Sequence, residues 1–282
     1  MNHQEQQGFL TIASNTAEVD YLHLAYLQAL NIKATQRIKS FAVIVDPATN
    51  QQIQEHHKQA FDYIIEAPAS NTGPYGLEVQ AFWLTPFKET VKLESDLLLP
   101  SSIDHWWTAF RLRDIVLSTG CRNYLQQTAT SRRYRKLFDD NNLPDVYNGL
   151  MYFRYSQIAA NFFRRAAEIF SNWEIVQNNL LNCRDDYPTT DVVYALAANL
   201  VGRELCTLPS LDFINFVHMK PSINSYPETA SFQDMYVTEF SDGIIRINNI
   251  NQYHPIHYHE KDFPTEEMYD YFRSMAGICS GA

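Results

Sequence analysis

The sequence is poor in cysteine and in glycine for its length. Its 282 residues include 4 cysteines and 9 glycines. The cysteines are widely spaced and form no Cys-x-x-Cys motif, at Cys121, Cys183, Cys206 and Cys279. This spacing excludes a disulfide framework as the basis of the fold and favours reduced thiols in a cytoplasmic protein.

Long apolar runs and an excess of positive charge are also absent. No stretch approaches the ~20 apolar residues that a membrane helix requires, and the first residues lack the basic start and apolar run of a signal peptide. The net charge of −10 weighs against unspecific binding to polyanions, although it permits a local basic groove.

The remaining composition is that of a folded protein. Hydrophobic residues make up 45% and aromatic residues 13% of the chain, which is enough for a sizeable core and argues against disorder. The length suits one α/β domain or two small ones. No internal repeat or low-complexity segment is visible in the sequence.

The first third of the chain alternates strand and helix patterns. Apolar runs typical of strands occupy residues 8–14, 41–46, 61–67 and 91–96. Between them, residues 18–32 carry apolar side chains at helical spacing, and residues 76–90 predict a helix interrupted at Pro86. This alternation predicts an α/β fold with a mostly parallel sheet and helices on both faces.

Acidic side chains follow two of these predicted strands. Asp46 ends one strand, and Glu94 and Asp96 end another. Ligands of parallel sheets bind outside the carboxyl ends of the strands. Because side chains two apart in an extended segment point to the same side, Glu94 and Asp96 are predicted to face one divalent ion. The alternative is a solvated turn.

The second half of the chain is more mixed. Predicted strands cover residues 114–121, 146–156 and 211–221. Predicted helices cover residues 103–111 after a Ser102 cap and 157–174, and residues 184–202 hold another, with Thr189 or Thr190 as its N-cap and Gly202 as its stop. Residues 122–145 are polar and predict a long excursion. We expect residues 222–282, whose periodicity is weak, to form a C-terminal extension that packs on a core of residues 1–221.

This order of segments resembles the GT-A nucleotide-sugar glycosyltransferases, most closely the glycogenin-like and galactosyltransferase-like group called family 8. The resemblance rests on FLTIASN (9–15), FAVIVD (41–46), PFKETVKLESDLLLP (86–100), VYNGLMYFR (146–154), PTTDVVYALA (188–197) and FINFVHMKP (213–221). Two departures stand out: Glu-Ser-Asp replaces the family's Asp-x-Asp motif, and Met219 replaces the usual glycine between histidine and lysine.

The resemblance implies a Rossmann-like sheet, a UDP-sugar donor and an Mn²⁺ or Mg²⁺ ion. It implies that Glu94, Asp96 and His218 bind the metal. Further donor contacts are implied for Ser14, Asn15, Asp46, Lys88, Glu94, Gly149 and Lys220. A metal between the phosphates would stabilise the negative charge of the leaving group.

Asn148 and Asp191 are the residues that the resemblance places beside the donor sugar, and Asp186 is a further candidate for catalysis. The resembling group retains the configuration of the sugar, whereas an inverting enzyme would need a general base, for which Asp191 or Asp186 could serve. Four of the predicted site residues also have a structural interpretation. Asp191 could complement a helix dipole, Asn148 and Gly149 could form a tight turn, and Asp46 could cap a helix.

The segment SRRYRKLF (131–138) concentrates positive charge around an aromatic residue. Its basic residues are Arg132, Arg133, Arg135 and Lys136. Basic residues interleaved with aromatics suit a phosphate backbone and an unstacked base; the alternative is a solvated surface. The leading hypothesis for the acceptor is therefore a 5-hydroxymethylated pyrimidine in bacteriophage DNA, which would place the protein in the host cytoplasm.

Two other functions remain open. One is a glycosyltransferase that acts on a glycan, a lipid-linked or a protein acceptor, and the other is a binding module without catalysis. His254, His257 and His259 could form a zinc site or a loop that closes over the active site. The sequence decides neither the sugar nor the oligomeric state.

Overall fold

The structure is a computed structural model that describes residues 5–68, 76–129, 135–184, 186–209, 214–227 and 229–278. Arg132 and Arg133 of the basic segment lie outside the described residues. No helix in these ranges is both long enough and apolar enough to span a membrane.

The strands have the following bounds: β1 Glu5–Ala13, β2 Phe41–Val45, β3 Tyr63–Glu66, β4 Phe87–Leu93, β5 Leu97–Leu98, β6 Ile115–Thr119, β7 Cys121–Arg122, β8 Thr128–Ala129, β9 Val146–Arg154, β10 Val217–His218, β11 Thr238–Ser241, β12 Ile244–Ile247, β13 Ile250–Asn251 and β14 Ile256–His257.

The helices are α1 Tyr21–Thr35, α2 Pro47–Asn50, α3 Glu55–Ala60, α4 Ala81–Leu84, α5 Trp106–Phe110, α6 Lys136–Asp140, α7 Gln157–Ser171, α8 Trp173–Asn178, α9 Thr190–Val201, α10 Arg203–Cys206, α11 Phe232–Met235 and α12 Glu266–Ala276. Two short 3₁₀ helices occupy Glu78–Gln80 and Pro221–Asn224.

The central sheet has the strand order β3-β2-β1-β4-β9-β6. Strand β1 pairs in parallel with β2 and β4, and β2 pairs in parallel with β3. Strand β9 is antiparallel to both β4 and β6. The predicted mostly parallel sheet is therefore confirmed, and the carboxyl ends of β1, β2 and β4 meet at one edge of it.

Strand β2 shows why the predicted apolar runs become central strands. Its five residues are all buried. Phe41, Val43 and Val45 belong to the core on one face of the sheet, whereas Ala42 and Ile44 belong to the core on the other. Because side chains alternate along a strand, a continuous apolar run fits a strand that is covered on both faces.

Helix α1 holds the chain segment that follows β4. It begins after Asp20, whose carboxylate accepts a hydrogen bond from the backbone of His23 at 2.9 Å. Gln28 and Asn31 are fully buried within the helix. The Gln28 amide donates to the carbonyl oxygens of residues 94 and 97 at 2.6 Å each, and Asn31 bonds to both backbone groups of Leu99. Two buried amides thereby fix the Glu-Ser-Asp turn.

A second sheet, with the order β5-β14-β10-β7-β8, brings the C-terminal part of the chain to this turn. Strand β14 is parallel to β10, with His257 opposite His218, and antiparallel to β5, with His257 opposite Leu97. Helix α12 packs against α1. Residues after 221 therefore contribute a strand to the sheet that adjoins Asp96.

The structure corrects three predicted elements. Residues 76–90 do not form one helix; α4 ends at Leu84 and β4 begins at Phe87, since Pro86 disfavours a helical residue before it and cannot donate a helix hydrogen bond. Helix α5 begins at Trp106, and the Ser102 hydroxyl bonds to Asp104 instead of capping it. The excursion 122–145 contains β8 and α6.

Candidate active site

An open pocket lies at the carboxyl ends of β1 and β4. Its volume is about 460 Å³, and its walls come from the ends of these strands, from β9, from the start of α9 and from the segments after β10 and β14. The position agrees with the rule that parallel sheets bind ligands at this edge.

Three potential metal ligands meet in the pocket. Asp96, His257 and His259 each offer one ligand atom, and these atoms lie within 4.8 Å of one another. His257 Nε2 is 3.0 Å from Asp96 Oδ2 and 3.3 Å from Glu94 Oε2. Both acids of the Glu-Ser-Asp motif therefore contact one imidazole, as expected if Glu94 and Asp96 face the same side.

Burial alone would raise the pKa of Asp96, but the adjacent His257 and Lys261 outweigh it and hold the pKa well below its usual range. Burial raises the pKa of Glu94. Burial lowers the pKa of His257, yet Asp96 and Glu94 together shift it upward. At His259, burial and the neighbouring His257 lower the pKa to about 4.

This donor set fits a divalent cation. Asp96 is ionised and His259 is neutral near pH 7, as metal ligands must be, whereas His257, whose pKa is shifted upward, would release its proton on binding the ion. One carboxylate with two imidazoles suits Mn²⁺ better than Mg²⁺, because Mg²⁺ prefers oxygen ligands alone. His254 is apart from the group, since its Nδ1 lies 2.9 Å from Gln126 Oε1. The suggested three-histidine zinc site is therefore not formed.

His218, which was predicted as a metal ligand, lies beside this group and not within it. Its ring stacks on that of His257, with centroids 4.7 Å apart and planes inclined by 6°. Its Nδ1 is buried and has no hydrogen-bond partner among the described residues. Burial lowers the pKa of His218 well below its usual value, so the ring is neutral. His218 therefore packs against a potential metal ligand, His257.

Two lysines add positive charge to the same part of the pocket. The predicted Lys220 lines it directly after β10. Lys261 lines it after β14 and forms an ion pair with Asp96. The Lys261 ammonium also lies 5.4 Å from the centre of the Tyr21 ring. An anionic ligand beside Asp96 would therefore meet two ammonium groups.

Asn148 lies on the pocket wall within β9, and its polar atoms are fully engaged. Its backbone N donates to Asp191 at 2.7 Å, and its side-chain amide donates to Glu94 at 3.2 Å. Its amide oxygen accepts from the buried Lys92 at 2.8 Å. Lys92 in turn forms an ion pair with Glu78, which also lines the pocket. Asn148 is a strand residue, so the tight-turn interpretation is wrong.

The three residues predicted at the first two strand ends form a linked turn. The Ser14 hydroxyl donates to Asp46 Oδ2 at 2.5 Å, and the Asn15 amide donates to Asp20 at 2.9 Å. Asp46 Oδ1 accepts from the backbone of Ala48 and Thr49, so Asp46 caps α2. Burial raises the pKa of Asp46, but these hydrogen bonds outweigh it and lower the pKa. Only Ser14 of the three lines the pocket.

Two of the residues predicted to contact the donor do not line the pocket. Lys88 is exposed at the start of β4, at the opposite end of the strand from the pocket. Gly149 lies under Phe216, because a Cβ at this position would come within 2.7 Å of the Phe216 ring. Close packing, and not donor access, therefore requires a glycine at position 149.

In the described part of the basic segment, Arg135 does not contribute to the predicted acceptor surface. Arg135 is buried, and its guanidinium pairs with Asp145 at 2.5 Å and Asp191 at 3.1 Å. It lies 3.7 Å from the centre of the Phe138 ring. Arg135 is therefore a structural cation, whereas Lys136 is exposed at the start of α6.

The two acids predicted beside the sugar are placed differently from each other. Asp191 stands in the first turn of α9 and accepts hydrogen bonds from the backbone of Asn148 and from Arg135. Asp186 is exposed before α9. Neither carboxylate lines the pocket.

Sequence reasoning missed Lys261, Lys92 and Glu78, and it left His257 and His259 without a role. One signal could have drawn attention to that segment: an apolar residue is followed at short spacing by His257, His259 and Lys261. Glu78 lies in the predicted helix 76–90 and Lys92 in the predicted strand 91–96, and neither pattern marks a binding residue.

Comparison with solved structures identifies the fold. The galactosyltransferase LgtC, in complex with donor and acceptor sugar analogs, aligns with a TM-score of 0.50 and 12% identity over 98% of this chain and 97% of LgtC. The glycosyltransferase GlyE of Streptococcus pneumoniae TIGR4 aligns with a TM-score of 0.50 and 8% identity over 96% of this chain and 63% of GlyE. This chain therefore spans less than two thirds of GlyE.

Mouse xyloside xylosyltransferase 1 aligns with a TM-score of 0.45 and 11% identity over 72% of this chain and 85% of the mouse protein. No family model and no curated protein matches the sequence. The alignments with LgtC and GlyE show that the chain has the GT-A fold, as the sequence resemblance predicted.

Proposed function

We propose that this protein is a metal-dependent glycosyltransferase that moves a sugar from a nucleoside diphosphate, UDP, to a hydroxyl group. The observation that carries the proposal is the meeting of Asp96, His257 and His259 in a pocket at the strand ends of a GT-A sheet. The glycosyltransferase names of LgtC and GlyE support the same activity.

The pocket supplies what the leaving diphosphate requires. Asp96, His257 and His259 would hold a divalent cation, with Glu94 beside them. A bound divalent cation stabilises the negative charge that develops on the diphosphate as the bond to the sugar breaks. Lys220 and Lys261 provide further positive charge on the same side of the pocket.

The placement of the acids favours retention of configuration. An inverting transfer needs a general base within hydrogen-bond reach of the acceptor hydroxyl. Asp191 is engaged by Arg135 and by the backbone of Asn148, and Asp186 is exposed away from the pocket. NMR of the anomeric proton in the product would test retention directly.

The acceptor is proposed only as a hydroxyl compound. The burial of Arg135 removes one of the four cations on which the DNA hypothesis rested, and the net charge of −10 gives DNA no general attraction. Hydroxymethylated DNA therefore enters the test as one acceptor, beside simple glycans.

The experiment measures release of free UDP from a panel of UDP-sugars, with Mn²⁺, with Mg²⁺ or with EDTA. Each donor is combined with DNA containing 5-hydroxymethylcytosine or 5-hydroxymethyluracil, with unmodified DNA, or with simple glycans. We expect release with Mn²⁺ that EDTA abolishes, and the acceptor that stimulates release identifies the substrate class. Failure of every UDP-sugar to bind or react in the presence of Mn²⁺ would overturn the proposal.

A further inference from the structure

A fully buried lysine stands behind the pocket. Lys92 is in β4 and has no exposed side-chain surface. Its ammonium pairs with the Glu78 carboxylate and donates to the Asn148 amide oxygen at 2.8 Å. Lysine is almost never buried unless it is paired, so the burial of Lys92 depends on these two partners.

Glu78 is the member of this pair that faces the pocket. It is only 8% exposed, yet it lines the cavity. Its Oε2 is buried against Lys92, and for its other carboxylate oxygen there is no hydrogen-bond partner among the described residues. The Tyr194 hydroxyl donates to the Glu78 carbonyl oxygen at 3.1 Å and fixes the backbone. The carboxylate is therefore held in place with one oxygen available.

The chain of contacts gives Glu78 a position relative to the proposed metal site. Glu78 contacts Lys92, Lys92 contacts Asn148, and Asn148 contacts Glu94. Glu78 thus lies two side chains from Glu94 and lines the same pocket as Asp96. A donor whose diphosphate lies beside Asp96 would have its sugar within the remaining space.

We propose that Glu78 recognises the transferred sugar by accepting a hydrogen bond from one of its hydroxyl groups. The inference rests on the proposed function, because it takes the ligand to be a nucleotide sugar. Lys92 neutralises the carboxylate, so an uncharged sugar does not need to compensate a buried negative charge. A hydroxyl that donates to a carboxylate forms a charge-assisted hydrogen bond, which is stronger than one to a neutral acceptor.

The alternative is that Glu78 serves only as the counter-ion of Lys92. A buried ion pair can often be replaced by apolar side chains of similar size without loss of stability. Replacing both partners together therefore separates the two roles. The variant Glu78→Met/Lys92→Met removes the pair and the acceptor, whereas Glu78→Gln/Lys92→Met removes the charges and keeps an amide oxygen at position 78.

Calorimetric titration with Mn²⁺ would measure the Kd of UDP and of each UDP-sugar for the native chain and for both double variants. We expect the Met/Met variant to bind UDP like the native chain and to bind the productive UDP-sugar about 10- to 100-fold more weakly. The Gln/Met variant should lose less. Unchanged UDP binding also shows that the variants are folded.

Donor analogues in which single hydroxyls are replaced by fluorine sharpen the test, since fluorine cannot donate a hydrogen bond. One position should weaken binding to the native chain and leave the Met/Met variant unaffected. If the Met/Met variant keeps both the native affinity for the UDP-sugar and the native sensitivity to the analogues, the role of Glu78 is overturned, but the proposed function is not. Absence of any UDP or UDP-sugar binding to the native chain would instead overturn the proposed function, and this inference with it.

Discussion

Two clusters of charged side chains use similar chemistry for different purposes. In the pocket, Lys261 pairs with Asp96. Behind it, Arg135 pairs with Asp145 and Asp191. The Lys261 side chain is 27% exposed, whereas that of Arg135 is 2% exposed. A ligand can replace the partners of the first cation, but no ligand reaches the second.

The surroundings of each cation explain the difference. The Arg135 guanidinium lies between the rings of Phe138 and Tyr147, at 3.7 and 3.8 Å from their centres. Planar guanidinium groups stack well on aromatic rings and can be buried with acids. Lys261 follows His259, whose backbone is left-handed with φ of 64°, and it points into a cavity. Arg135 is therefore positioned to stabilise the fold, whereas Lys261 is positioned to meet a ligand in the pocket.

The largest expected effect is on stability, from Arg135→Met. Removing this cation leaves Asp145 and Asp191 near apolar rings without their partner. We expect the free energy of unfolding to fall by roughly 3–5 kcal/mol, measured by denaturant unfolding. The matched control is Lys136→Met at the adjacent exposed position, which should change stability by less than about 0.5 kcal/mol. Equal effects of both variants would show that Arg135 is not buried.

The effect of Asp96→Asn is expected chiefly on donor turnover. The amide keeps the shape of the side chain but provides a poor metal ligand, so we expect Mn²⁺-dependent donor turnover to fall about 10²- to 10³-fold. Some stability should also be lost, because Asp96 is buried and its ionised form is stabilised by His257 and Lys261, so denaturant unfolding checks that the variant is folded. Unchanged UDP release would contradict the metal assignment.

The sheet edge and its acids could be predicted from the sequence because their signals are local. Strand β2 is an apolar run that ends at Asp46, and β4 is followed by Glu94 and Asp96 within one turn. Parallel pairing then follows from the alternation of strands and helices, and it brings these ends together. The position of this half of the site was therefore predictable without homologues.

The other half was not predictable for a physical reason. Strand β14 contains only two residues, Ile256 and His257, and its position depends on pairing with β5 and β10, far away in the sequence. Two residues are too few to show the alternation of side chains by which a strand is recognised in a sequence. Arg135 was misjudged because a basic residue in a polar segment carries no local sign of the acids that will surround it. Both failures come from long-range contacts.

Variants of His257 and His218 test the proposed ligand against the one that the sequence predicted. His257→Gln should weaken Mn²⁺ binding by roughly 10- to 100-fold, since it removes a ligand atom beside Asp96. His218→Gln removes only the ring that stacks on His257 and should cost less than about tenfold. Titration of Mn²⁺ followed by electron paramagnetic resonance measures both affinities. The reverse order would restore His218 as the ligand.

The smallest expected effect concerns acid stability, from a histidine that belongs to neither cluster. Burial, followed by repulsion from His56 and His23, lowers the pKa of His57 to about 4, and the attraction of Asp20 only partly opposes this. The His57 ring accepts a hydrogen bond from the Gln54 backbone at 3.0 Å and is 6% exposed. The neutral ring is therefore built into the fold.

Because the pKa of His57 in the unfolded chain is near 6.5, the unfolded state binds more protons below that pH. The stabilisation from His57 is complete above about pH 6.5 and is lost as the pH falls from there to about 4, by at most ~3 kcal/mol. Denaturant unfolding across this range should show a shallower pH dependence for His57→Gln, whose amide can still accept from Gln54. The same substitution at the exposed His105 is the control. Identical slopes for His57→Gln and the native chain would show that protonation of His57 does not limit acid stability.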